Sequence, residues 1–164
     1  MRARAGVAAV WVSWAVAALG GCAADASGGP SCEPSDGAEV CEVFRLVNEA
    51  RAREGLAPYT YDRALGLAAQ LHAEDMVEQG YFSHDSLDGR SFADRARDAG
   101  YDASARGENI ASGQRSAAQV MESWMGSSGH RANILSTRSN EIGIGLHQNR
   151  WVQVFGQRAL VTGG

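Results

Sequence analysis

Two short stretches decide how this chain is read: Gly107-Glu108-Asn109-Ile110-Ala111, and Trp124-Met125-Gly126-Ser127-Ser128-Gly129-His130-Arg131-Ala132-Asn133-Ile134-Leu135. The first has the β-branched and small residues of a short strand and carries one carboxylate, Glu108. The second ends one apolar helical face at Trp124, breaks at Ser127-Ser128-Gly129 and restarts a short helix bearing His130, for which Ser128 is the expected N-cap. A second imidazole, His84, stands upstream in Phe82-Ser83-His84-Asp85. Two imidazoles and a carboxylate are the residue types that bind a divalent metal or move protons, provided the fold brings them together.

Working outward, helices are expected on both sides of the first stretch. Val40, Val43, Phe44, Val47 and Ala50 recur at helical spacing over residues 39–54. Asp62 caps a second predicted helix over 63–79, with Leu65, Ala68, Ala69, His72 and Met76 on one stripe, and Ser91 caps a third that runs to Asp98. Residues 56–61 read as an extended connector. Ser116 opens a fourth helix with Ala117, Val120, Met121 and Trp124 inward. The period then changes: Ile142, Ile144 and Leu146 alternate with smaller or polar residues, and Trp151, Val152, Val154 and Phe155 follow the Gln148-Asn149 turn, which predicts a hairpin. Helices first and a sheet at the end argue for an α+β fold.

Composition narrows the function classes. The chain has 164 residues, 45% hydrophobic and 21% charged, with a net charge of -4, which suits one globular domain. All 15 basic residues are arginine and they are scattered, so a nucleic-acid footprint is absent. Residues 1–21 read as a leader: Arg2 and Arg4, an apolar run to Leu19, then small residues. Leu19-Gly20-Gly21-Cys22 resembles a bacterial lipobox, making Cys22 the expected lipidation site and the membrane the expected partner. An ordinary secretory signal cut near Ala23 or Ala24 is the alternative; either way the expected location is extracytoplasmic. Residues 22–38, rich in Gly, Ser and Pro, have the composition of a flexible tether. Cys32 and Cys41 are the remaining thiols; a disulfide joining the tether to the first helix is expected, with two free thiols the other reading.

Taken together, Leu46-Val47-Asn48-Glu49-Ala50-Arg51, Pro58, Ala69-Gln70 with His72-Ala73, Phe82-Ser83-His84, Gly107 to Ala111, the Trp124 to Leu135 stretch, Gly143-Ile144-Gly145 and Val152 to Gly156 resemble the bacterial branch of the CAP superfamily, which takes in cysteine-rich secretory proteins, antigen 5 and pathogenesis-related 1 proteins. The resemblance covers about residues 40–157, and residues 39–164 are expected to form one such domain. It implies a three-layer α-β-α sandwich, with a small antiparallel sheet between helices and a cleft on one side. Many members hold in that cleft two His and two Glu that can bind a divalent metal. Here His84 and Glu108 resemble the first His and Glu, whereas Ser127 and Arg150 stand at or nearest the positions of the second pair. His130 is then the substitute imidazole.

The expectation is therefore a weak divalent site, zinc above others, on His84, Glu108 and His130. Asn109, Ser127 and Gln153 are expected to line the ligand cleft, and a structural hydrogen-bond network through the same residues is the plain alternative. A binding protein for a metal or for a small apolar or envelope-derived ligand is preferred to a hydrolase, which would need Ser127 or Ser128, His130 and Glu108 as a triad without a Gly-x-Ser-x-Gly elbow or a His-Glu-x-x-His motif. A structural envelope protein with an inactive cleft is the third reading.

Overall fold

The computed structural model describes residues 31–159. The expected leader, the lipid attachment at Cys22 and the first part of the tether lie outside these residues. Among the described residues no helix is long and apolar enough to cross a membrane.

The end of the expected tether is built into the domain. Pro34–Asp36 forms a 3-10 turn whose start is bonded by Asp36 Oδ2 to the Glu33 N–H at 2.7 Å, and Cys32 is joined to Cys41 in a disulfide. Helix α1 follows at Ala38–Arg53, then the two-residue strand β1 at Thr60–Tyr61 and helix α2 at Arg63–Glu78. Helix α3 is Phe92–Asp98, strand β2 is Ser104–Ser112, helix α4 is Ala117–Gly126 and helix α5 is Ser128–Ile134. Strands β3, Glu141–His147, and β4, Arg150–Gln157, form the expected hairpin. Its two-residue turn places Gln148 and Asn149 at φ 42° and 63°, the left-handed region that matches the twist of the strands. As expected, Asp62, Ser91 and Ser116 cap α2, α3 and α4, each accepting a backbone N–H.

The sheet order is β1-β3-β4-β2. β2, β4 and β3 pair antiparallel, but β1 joins β3 in parallel, so the sheet is mixed where an antiparallel one is expected. The reason is local: the Thr60 N–H donates to Asn140 O at 3.0 Å and the Asp62 N–H to Ile142 O at 2.9 Å, which turns the end of the extended connector into a short edge strand.

Strand alternation divides the core in two. Trp151 and Phe155 of β4, with Ile142 and Ile144 of β3, pack beneath α1, α4 and α5. Val152 and Val154, with Ile110 of β2, pack against α2 and α3. The expected three-layer sandwich results. On β3 the face toward α2 is glycine: a Cβ at Gly143 would lie 2.1 Å from the Gly66 nitrogen, and one at Gly145 would lie 2.3 Å from the Gln70 nitrogen. Bare backbone lets α2 rest directly on the sheet.

Side chains bond free main-chain groups on β3 beyond the two-residue β1 and on the outer strand β2. On β3 beyond β1, the Tyr61 hydroxyl donates to Ile144 O at 3.2 Å, and the Leu146 N–H donates to Gln70 Oε1 at 3.0 Å. On β2 the Trp124 indole donates to Ile110 O at 3.4 Å, and Asn133 Nδ2 donates to Glu108 O at 3.3 Å.

Candidate functional site

Strand β2 places Glu108 and Asn109 on opposite faces of the sheet, and this alternation splits the expected site. Glu108 faces α3 and the loop that follows α2; Asn109 faces α5. The loop is pinned at both ends of its turn. Gly80, in the left-handed region, ends α2; a ring N–H at His72 Nε2, buried on the apolar stripe, donates to Ser83 O at 3.0 Å. Arg95 of α3 then gathers the loop to itself. Its Nη1 donates to Ser86 Oγ at 3.1 Å and Arg90 O at 2.9 Å, and its Nη2 donates to His84 O at 2.9 Å and Glu108 Oε2 at 2.7 Å.

His84 and Glu108 meet. His84 Nδ1 lies 2.9 Å from Glu108 Oε1, with the imidazole 54% exposed and the carboxylate 1% exposed. The carboxylate is thus held between a buried guanidinium and a surface imidazole. It favours the proton on Nδ1, so that in the neutral ring Nε2 carries the lone pair. The same hydrogen bond raises the His84 pKa above its ordinary value, against an opposing push from partial burial.

His130 sits in the first turns of α5, half-buried. Burial, and secondarily the charge on His84, lower its pKa. The two rings are thus shifted in opposite directions, His84 up and His130 down. They do not close on a common point with Glu108. Among the described residues the only group of three or more His, Cys, Asp and Glu whose ligand atoms all fall within 4.8 Å is Cys32, Asp36 and Cys41, and its two sulfurs are spent in the disulfide. The ligand atoms of His84, Glu108 and His130, all described residues, do not all fall within 4.8 Å of one another, and each oxygen of Glu108 already has a hydrogen-bonding partner.

The residues expected to line the cleft have other work. Asn109 and Gln153 are fully buried on the α5 side. Asn109 Nδ2 donates to His130 O at 3.1 Å and to Gln153 Oε1 at 3.0 Å, and Asn133 Nδ2 donates to Asn109 Oδ1 at 2.9 Å. These amides fix α5, and with it His130, against β2. Ser127, not Ser128, occupies the cap position of α5, and its side chain makes no capping bond. The Ser-His-Glu triad considered above is not assembled, since Glu108 orients His84 rather than His130. Arg150, nearest the position of the family's second His, places its guanidinium carbon 5.8 Å from the centre of the half-exposed Phe82 ring.

Arg95 is the functional residue that sequence reasoning missed. A usable signal was present: a carboxylate buried in a strand needs a cationic partner, and Arg95 lies on the inward face of α3 beside buried Ala96.

This geometry defines an α-β-α sandwich protein with a surface imidazole backed by a buried Glu-Arg pair. The model of the CAP family, the cysteine-rich secretory protein family, matches residues 44–155, and the chain belongs to that family. It is similar to YkwD of Bacillus subtilis strain 168, a protein described as uncharacterized, at 36% identity over 116 residues, which is 70% of this chain and 45% of YkwD. It is similar also to YlbC of the same organism, described as an uncharacterized membrane protein, at 33% identity over 117 residues, 71% of this chain and 34% of YlbC. The chain thus spans less than half the length of either relative. Among solved structures, an extracellular protein containing an SCP domain from Bacillus anthracis str. Ames superposes with a TM-score of 0.71 and 29% identity, over 73% of this chain and 40% of that one. An outer surface protein from Borrelia burgdorferi shares the fold with a TM-score of 0.67 and 22% identity, over 80% of this chain and 99% of that one.

Proposed function

We propose that this chain is an extracytoplasmic binding domain, held to the envelope membrane by lipid on Cys22, whose ligand is an envelope-derived molecule contacted by His84 and His130. One observation carries the reading: a buried ion pair, Glu108 with Arg95, is spent on orienting an exposed imidazole. Holding a fold together requires no such surface group. An oriented surface imidazole with its Nε2 lone pair outward suits a ligand hydroxyl or amide donor. The extracytoplasmic reading is supported by the descriptions of similar proteins as extracellular, outer-surface or membrane proteins.

A divalent cation is the second reading, favoured by imidazoles at His84 and His130, of which His130 has its pKa lowered by burial. With Glu108 engaged by Arg95, zinc would rest on nitrogen ligands and bind weakly. The test follows the His84 and His130 ring resonances by NMR while solubilised cell-wall fragments, anionic lipid micelles or zinc are added separately. Shifts with an envelope component that vanish in Glu108→Gln support the proposal. Shifts with zinc alone select the cation, and none with any addition overturns both.

A further inference from the structure

A second cationic group is buried away from the His84 cleft. Arg51, in the last turn of α1, is 3% exposed. Its Nε donates to Ala57 O at 2.8 Å, and its Nη1 donates to Ile134 O at 2.8 Å and Ser136 O at 2.9 Å. The guanidinium carbon lies 3.6 Å from the centre of the Tyr59 ring. Carbonyl dipoles and a π face supply partial charges and no counter-ion. Among the described residues no carboxylate pairs with Arg51, and its Nη2 makes no hydrogen bond. A buried guanidinium without a neutralising partner is costly, and burial lowers its pKa accordingly.

Arg51 also lines a cavity of about 250 Å³, whose other walls include Leu56, buried Ser139 and the exposed Ala57 and Pro58. Leu56 and Pro58 offer apolar surface, the buried Ser139 offers a hydroxyl, and Arg51 offers a permanent positive charge.

We infer that this cavity is an anion site for a small acylated carboxylate, whose oxygen pairs with Arg51 Nη2 and whose acyl methyl lies against Leu56 and Pro58. The site shares no residue with the His84 cleft and does not depend on the function proposed for it. A carboxylate supplies the counter-charge that the fold omits, and charge-assisted bonds of this kind are among the stronger ones available.

The test uses the full chain in detergent, titrated calorimetrically with N-acetylglycine, its neutral amide N-acetylglycinamide, and inorganic phosphate. N-acetylglycine should bind saturably at one site per chain and raise the thermal midpoint, whereas the neutral amide should not. Arg51→Lys, which keeps the charge but not the planar fork, should weaken binding about tenfold. Because that variant also loosens bonds that hold the fold, Ala57→Phe serves as the second: it leaves the Ala57 carbonyl in place and sets a ring into the cavity wall, and should abolish binding in a folded protein. Absence of saturable N-acetylglycine binding to the folded wild type overturns the inference. So does equal binding of the amide, survival of binding in Ala57→Phe, or binding of phosphate in place of the carboxylate.

Discussion

Arg95 Nη2 lies 2.7 Å from Glu108 Oε2, and the two side chains are 6% and 1% exposed. This pair stands behind everything the surface imidazole does, and removing one half leaves the other charged and dry. Arg95→Met should lower unfolding free energy by about 3–5 kcal/mol. Arg95→Met combined with Glu108→Gln should recover a large part of that loss. Urea unfolding of the single and double variants checks the prediction, and strict additivity would show that the pair does not act as a unit.

The histidines should give stability two opposing pH dependences. His84 has a raised pKa, so its contribution is complete below the unfolded value near 6.5 and is lost as pH rises through the folded value. His72 and His130 have lowered pKa values, mainly through burial, so their contributions are present above about 6.5 and are lost as pH falls through the folded values. In Glu108→Gln the His84 ring should titrate at lower pH than in the wild type. An imidazole NMR titration reads this directly, and an unchanged His84 curve would show that the hydrogen bond is not formed in solution.

Gly143→Ala and Gly145→Ala should each cost about 3 kcal/mol or more, because the added carbon meets the α2 main chain rather than a side chain that can swing away. Circular dichroism melting curves, or loss of soluble expression, report the outcome. A well-folded Gly143→Ala protein would mean that α2 can lift from the sheet at little cost.

Reduction of the Cys32–Cys41 disulfide, nine positions apart, should cost about 2–3 kcal/mol on the chain-entropy account of a short loop. The Cys32→Ser/Cys41→Ser variant should match the reduced wild type. Melting under oxidising and reducing conditions separates this effect from any change in packing.

Much of the fold is readable from residue spacing. The apolar stripe from Val40 to Ala50, the Asp62, Ser91 and Ser116 caps and the alternation of Ile142, Ile144 and Leu146 each mark an element through a local rule. β2 is harder: Ser104 to Gly107 lacks apolar alternation, and that half of the strand exists because β4 offers main-chain partners. A register shift falls in that same half, between Ala105 and Gly107. At the site, His84 and Glu108 are joined by a family resemblance rather than by spacing, since they come from a loop and a strand. Arg95 is reached only indirectly, through the need of buried Glu108 for a cationic partner; Arg97, two residues on, points to solvent and pairs with Asp94. Asn109 and Gln153 resemble cleft residues in sequence, but strand alternation turns them inward, where they serve α5.

The placement of β3 and β4 has a consequence for biosynthesis. They are the last two strands of the described chain, yet they occupy the middle of the sheet, and β1 and β2 connect only through them. Every helix from α1 to α5 therefore leaves the ribosome before any sheet is available to cover its apolar face. The nascent chain must be kept from aggregating until Glu141 and the residues after it emerge, and arrival of the hairpin is the event that lets both layers close at once. A stop codon placed before Arg150 should thus yield a protease-sensitive chain with no folded half, rather than a domain missing one edge.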